Sequence, residues 1–76
     1  MNTANLSRGQ QVRRALLAVA RTCHARGLLL PSYATIGSAL GLSQSQVSRH
    51  MGRLLDEGAL QIAQSGRRLR IRSIAP

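Results

Sequence analysis

The segment spanning residues 35–51 constrains the fold of this chain more than any other part of the sequence. Ile36 and Leu40 stand four residues apart, which is the spacing of one face of a helix. A second apolar stripe follows at positions i, i+4, i+7 and i+8, formed by Val47, Met51, Leu54 and Leu55. Gly41 lies where the first helix must end, because glycine adopts a left-handed conformation without strain. The segment therefore predicts two short helices joined by a tight turn.

The remaining residues of the turn agree with this interpretation. Leu42 is expected to fill the angle between the helices. Ser43 can cap the second helix by accepting hydrogen bonds from its first N–H groups. Two helices joined in this way form a helix-turn-helix motif, whose second helix is shaped to enter the major groove of DNA.

The segment and its flanks resemble the winged helix-turn-helix domains of GntR-type, MarR-type and LexA-type bacterial regulators. Leu30-Pro31-Ser32 precedes the first motif helix, and the sequence Asp-Glu-Gly-Ala-Leu follows the second at residues 56–60, as is typical of those families. The resemblance covers most of the chain and implies a DNA-binding domain with a β-hairpin wing. Gly37 departs from the pattern, since alanine is usual at this point of closest helix contact. Glycine keeps the small size but weakens the helix by about 0.5–1 kcal/mol.

Three helices are predicted, over residues 8–26, 33–40 and 44–57. The first has an apolar face formed by Val12, Leu16, Val19, Ala20 and Cys23, with Ala15 beside it. Ser7 is expected to cap this helix and Gly27 to end it. Its arginines are expected to stay solvated, namely Arg13, Arg14, Arg21 and Arg26. Ser32 is expected to cap the second helix, and Gly58 to end the third.

Two alternating segments follow the third helix and predict a β-hairpin. Residues 59–64 place Leu60 and Ile62 on one face, and residues 67–74 alternate apolar residues with arginine. Ser65-Gly66 is predicted as the turn between them, and residues 28–30 as a short first strand. The expected fold class is mainly α with small β, a winged helix-turn-helix in the order α-β-α-α-β-β. A single domain is expected over residues 8–74, after a flexible arm over residues 1–7.

The charge balance is strongly basic, because eleven basic residues face two acidic ones and the formal net charge is +9. All the basic residues are arginine, whose planar guanidinium suits bidentate contacts to phosphate and guanine. Codon bias in a GC-rich genome explains the preference for arginine equally well. The charge favours a polyanionic partner under either explanation.

The exposed face expected for the second motif helix is the first candidate DNA-binding site. Glutamine can make two hydrogen bonds to adenine, and arginine two to guanine. Candidate contacts at or beside this face are Ser43, Gln44, Ser45, Gln46, Ser48, Arg49 and Arg53. The alternative is an ordinary solvated helix face, which the motif and the net charge disfavour. Gly52 either allows close approach to the DNA backbone or reflects close packing or simple tolerance.

Two further groups are candidate DNA contacts. Arg67 and Arg68 lie at the hairpin tip, which in winged helices often touches the adjacent minor groove or the backbone. The alternative there is a solvated edge strand protected by charge. Ser32, Tyr33 and Thr35 begin the first motif helix and could donate to a phosphate. Tyr33 fits a partly buried core position equally well.

Enzymatic activity is not expected from this sequence. The only carboxylates, those of Asp56 and Glu57, are neighbours at a helix end, which is an unsuitable arrangement for acid–base catalysis. Glu57 is expected instead to pair with Arg53, four residues earlier. Both acidic side chains are expected to face away from DNA.

Metal, redox and membrane functions are not expected either. His24 and His50 lack further ligands at zinc-like spacing, so no metal or other cofactor is expected. Cys23 is the only cysteine, which excludes an intrachain disulfide and is typical of a reducing cytoplasm. No stretch of sequence approaches the length needed to span a bilayer.

The expected function is that of a sequence-specific double-stranded DNA-binding protein, a small bacterial, phage or plasmid transcriptional regulator, cytoplasmic and nucleoid-associated. Variants of this hypothesis are a plasmid or phage replication or partition factor and a detached DNA-binding domain of a longer protein. A homodimer would have to use the first helix, the N-terminal arm or contacts between copies on DNA, and no small-molecule ligand is expected. The alternative is a protein-interaction adaptor, which would favour an apolar exposed face and a lower charge. RNA binding is less favoured because aromatic stacking residues are lacking.

Overall fold

The computed structural model of the protein describes residues 6–75. Its elements are α1 (Arg8–Arg26), β1 (Leu29–Leu30), α2 (Tyr33–Leu40), α3 (Gln44–Asp56), β2 (Leu60–Ser65) and β3 (Arg68–Ile74). This α-β-α-α-β-β order confirms the predicted fold class and is consistent with a winged-helix fold. Residues 1–5 of the predicted arm lie outside the described residues. Within residues 6–75, every helix is too short or too polar to cross a membrane.

The helices begin and end at local sequence signals. Each helix N-terminus is capped by a serine whose side chain accepts a hydrogen bond from a backbone N–H of the first turn. The capping residues are Ser7, Ser32 and Ser43. The predicted bounds of α1 and α2 are confirmed. α3 ends at Asp56, one residue earlier than predicted, because Glu57 already occupies the cap position. Gly58 then turns the chain with a φ of 72°, as expected of a glycine after a helix.

β3 is the central strand of an antiparallel sheet with the order β1-β3-β2. Ser65 pairs with Arg68, so the two-residue turn of the hairpin is Gly66-Arg67. The predicted turn, Ser65-Gly66, is wrong by one residue. Gly66 has a φ of 61° and Arg67 has a negative φ, which is the pattern of a type II′ turn with glycine first. The pairing of Ser65 with Arg68 therefore fixes which residues form the turn.

A β-bulge interrupts β3 near its end. Gln61 pairs with Ser73 and Ile62 with Ile71, so Arg72 is an extra residue in the central strand. Strict alternation would place Ile74 on the same face as the arginines. The bulge returns Ile74 to the inner face, where it packs against the core.

The core is one apolar cluster between the helices and the sheet. Its buried members are Leu16, Ala20, Cys23, Leu30, Ile36, Val47, Met51, Leu54, Leu60 and Ile71. α1 supplies three of them and packs against α3, β1 and β3, while Val12 and Val19 pack at the edge of the cluster. The predicted face of α1 is thereby confirmed. Because so short a chain buries few residues, the cluster is thin, and each close contact within it contributes strongly to stability.

Gly37 lies where α2 comes closest to the turn that leads into α3. A Cβ atom at Gly37 would lie 2.5 Å from the carbonyl oxygen of Leu42. The same segment is joined by a hydrogen bond of 2.8 Å from the Leu42 N–H to the Gly37 oxygen. A side chain at this position would therefore force the turn between α2 and α3 to shift.

Candidate nucleic-acid interface

α3 buries one side and exposes the other. Val47, Met51 and Leu54 are at most 2% exposed, and they fix the rotation of the helix about its axis. The opposite, exposed face carries Gln44, Ser45, Ser48 and Arg49. Within residues 6–75, these four side chains form no hydrogen bond with another side chain. Their amide, hydroxyl and guanidinium groups can therefore bond to an external partner.

The first turn of α3 is held by a reciprocal capping box. Ser43 Oγ accepts from the Gln46 N–H at 3.1 Å, and Gln46 Oε1 accepts from the Ser43 N–H at 2.8 Å. The structural role of Gln46 is not apparent from the sequence interpretation, which assigned it to DNA contact alone. Its amide nitrogen can still donate to a partner, so the box fixes the first turn without using all of its polar atoms.

The start of α2 uses its hydroxyl groups internally. Ser32 Oγ accepts from the Thr35 N–H at 3.1 Å and donates to Thr35 Oγ1 at 2.8 Å. Tyr33 is half-buried against the core, and desolvation by burial raises the pKa of its phenol. The phenol therefore stays protonated at neutral pH and can donate a hydrogen bond.

The arginines of the wing, which is the hairpin of β2 and β3, differ in whether they bond to the rest of the protein. Arg67 lies in the turn and is exposed. The guanidinium of Arg68 donates from Nε and Nη2 to the carbonyl oxygen of Leu30, at 3.2 and 3.0 Å. Arg70 donates similarly to the Gly27 oxygen at 3.3 Å. These bonds hold the hairpin against the segment that leads into α2.

A cleft of about 230 Å³ joins the start of α2, the start of α3 and the wing. Its polar lining comes from Ser32, Tyr33, Gln44, Arg67 and Arg68, and Leu30, Pro31 and Leu69 complete it. Five residues predicted separately from three segments of sequence are therefore neighbours in space. Pro31 and Leu69, which have no polar group to attract attention, were missed by the sequence interpretation.

Arg13 and His50 form a contact that the sequence interpretation also missed. Nη1 of Arg13 on α1 lies 3.4 Å from Nδ1 of His50 on α3. Arg13 is half-buried, so the prediction that this side chain stays solvated is wrong. The reason is its place beside the apolar face of α1, from which it reaches His50 on α3. No local spacing in the sequence links these two residues.

In the C-terminal half of α3, one predicted ion pair is confirmed and the surroundings of Gly52 are open. Arg53 Nε donates to Glu57 Oε1 at 2.8 Å, as predicted from their spacing. Both side chains are at least half exposed, so this ion pair adds little stability and can open to a partner. No described atom outside the helix lies within 4 Å of a Cβ placed at Gly52. The interpretation of Gly52 as a close-packing residue is therefore wrong.

The chain has no match among protein-family models, among curated proteins or among solved structures. The winged-helix-like fold therefore rests on the element order and on the hairpin alone. The assignment of individual residues to DNA contacts stays a prediction.

Proposed function

We propose that this protein binds double-stranded DNA sequence-specifically, as a small transcriptional regulator of bacterial, phage or plasmid origin. α3 lies in the major groove, and the wing lies on the adjacent backbone or minor groove. The observation that carries this proposal is the exposed face of Gln44, Ser45, Ser48 and Arg49, which ends at a cleft bordered by wing arginines. The role is binding, not catalysis.

The side chains of the interface differ in the part of DNA that they suit. Gln44 and Arg49 have the donor and acceptor geometry that reads adenine and guanine. Arg67 is an exposed cation at the wing tip and suits a phosphate or the minor groove. The phenol of Tyr33 and the start of α2 border the same cleft and position the backbone.

Overall charge supports the same partner. A formal net charge of +9 on so small a chain attracts any polyanion. Specific recognition then depends on the α3 face, since phosphate contacts carry no sequence information directly. The GntR-type, MarR-type and LexA-type resemblance in the helix-turn-helix segment agrees with a regulator.

A salt titration of duplex binding tests the proposal. For about six phosphate contacts, the logarithm of the association constant should fall with the logarithm of salt concentration with a slope of about −5. Duplexes recovered from a random pool should share a sequence motif and should bind more tightly than random duplex. Binding that is independent of salt, or a recovered pool without a motif, would contradict the proposal.

A further inference from the structure

A shallow groove runs along the outer side of α1 and past the end of α2. It consists of three depressions whose linings overlap. Two of them share Gln11 and Ala15, and the third is joined to the first through Leu40. Of its lining residues, Pro31 and Thr35 also belong to the candidate nucleic-acid interface. The groove is therefore a second surface beside that interface.

The outer side of α1 has the spacing of a helix-packing face. Gln11, Ala15, Ala18 and Thr22 follow each other at i, i+4, i+7 and i+11, which repeats one face of a helix. Thr22 Oγ1 donates to the Ala18 carbonyl oxygen at 3.1 Å, so its hydroxyl is already satisfied within α1. Small side chains along this line allow the backbone of another helix to approach closely.

Leu40 adds an exposed apolar anchor. It is 36% exposed and borders two of the three depressions. Leu28 is the other large apolar side chain that is exposed within residues 6–75. It is 51% exposed and borders none of the three depressions. Burial of Leu40 by a partner would remove apolar surface from water and stabilise a complex.

Charge decides which kind of partner fits the groove. α1 contains five arginines and no acidic residue, and Arg8 and Arg14 line the depressions. A symmetric contact with a second copy would bring together two surfaces whose only charged lining residues are arginines, which opposes association. A partner that carries carboxylates beside an apolar stripe is complementary to the same surface.

We propose that this groove binds an amphipathic helix of a different protein. The apolar stripe of that helix packs on Ala15, Ala18 and Leu40, and its flanking Asp or Glu residues face Arg8 and Arg14. Because the groove is distinct from the exposed face of α3, the protein can hold such a partner while it is bound to DNA.

A labelled synthetic peptide tests this proposal by fluorescence anisotropy with the full chain. The peptide carries leucine at i, i+4, i+7 and i+11 with glutamate on both sides, and a control peptide has serine in place of leucine. The leucine peptide should bind about tenfold more tightly than the serine peptide. Equal binding would show attraction by charge alone and would overturn the proposal.

Matched variants locate the binding surface. Leu40→Ser should weaken peptide binding about fivefold, whereas Leu28→Ser should leave it unchanged. Arg14→Gln should weaken it more than Arg26→Gln, which removes the same charge elsewhere on α1. Ala18→Gln, at an exposed position, tests the groove without removing core packing and should also weaken binding.

Two outcomes of these measurements overturn the proposal. One is an equal loss of peptide affinity in Leu28→Ser and Leu40→Ser when both variants show wild-type thermal unfolding. The other is a dimer in sedimentation that Leu40→Ser dissociates, since a second copy would then occupy the groove. Duplex binding measured on Leu40→Ser should match wild type, so failure of the groove proposal is separable from failure of DNA binding.

Discussion

The guanidinium nitrogen Nη1 of Arg13 lies 3.4 Å from Nδ1 of His50, and this contact joins α1 to α3. A Cβ atom at Gly9 would lie 3.0 Å from the same guanidinium nitrogen, so Gly9 leaves room for the contact. Arginine only donates, so the imidazole must accept through an unprotonated Nδ1. Desolvation by burial lowers the pKa of His50, and the charges of Arg13, Arg49 and Arg53 lower it further.

The lowered pKa predicts how stability depends on pH. As the pH falls below about 6.5, the unfolded chain binds a proton at this histidine before the folded chain does. The contribution of His50 to stability is therefore complete above that pH and is lost as the pH falls through the folded-state pKa. His50→Gln should therefore reduce the pH dependence of the free energy of unfolding below about pH 6.5, measured by urea denaturation.

A His50→Gln variant that keeps the wild-type slope would show that the contact with Arg13 does not control the protonation of His50.

Substitution of glycine by alanine should have opposite effects on stability at positions 37 and 52. Gly37→Ala should destabilise the protein by about 1–3 kcal/mol, because its Cβ would overlap the Leu42 carbonyl oxygen. Gly52→Ala should stabilise it by up to about 1 kcal/mol, because alanine favours a helix and the added methyl meets open space. Thermal unfolding of both variants measures the difference. A Gly37→Ala variant as stable as wild type would show that the turn adapts.

Arg49 is expected to read a base. Arg49→Ala should weaken binding to a selected duplex by about tenfold or more, and binding to random duplex much less. Arg26→Ala removes the same charge from α1 and should weaken both duplexes equally. Fluorescence anisotropy at one fixed salt concentration compares them. Uniform weakening by Arg49→Ala would reassign this residue to a phosphate.

Arg67 and Arg68 should differ in what their removal changes. Arg67→Ala should reduce the steepness of the salt dependence by about one unit and leave stability unchanged. Arg68→Ala should also lower the free energy of unfolding by about 1 kcal/mol, because it loses its bonds to the Leu30 oxygen. Paired salt titrations and urea denaturation test this. Identical stability of the two variants would mean that the anchor is not needed.

Much of the fold can be predicted from local signals in the sequence. The caps at Ser32 and Ser43 and the apolar stripe of α3 each depend on residues a few positions apart. These signals give correct helix bounds to within one residue. The turn at Gly66 was misplaced because alternation extends through Arg67, and only the pairing of Ser65 with Arg68 reveals which residues reverse the chain.

The candidate site was only partly predictable, for a related reason. Exposure of Gln44 and Arg49 follows from helix periodicity, so the α3 face could be found. The contacts of Arg13 with His50 and of Arg68 with the Leu30 oxygen join residues far apart in sequence. No spacing rule links such residues, because their proximity depends on how the helices and the sheet pack.

Backbone amide chemical shifts during titration with a selected duplex would locate the DNA-binding surface residue by residue. If α3 and the wing contact DNA, the largest shift changes occur along residues 44–53 and at residues 66–68, with smaller changes on the outer side of α1. The changes at residues 66–68 should weaken first as salt is raised, because exposed charges are screened. Changes concentrated on α1 and the end of α2, with residues 44–53 unaffected, would rule out DNA contact by the exposed face of α3.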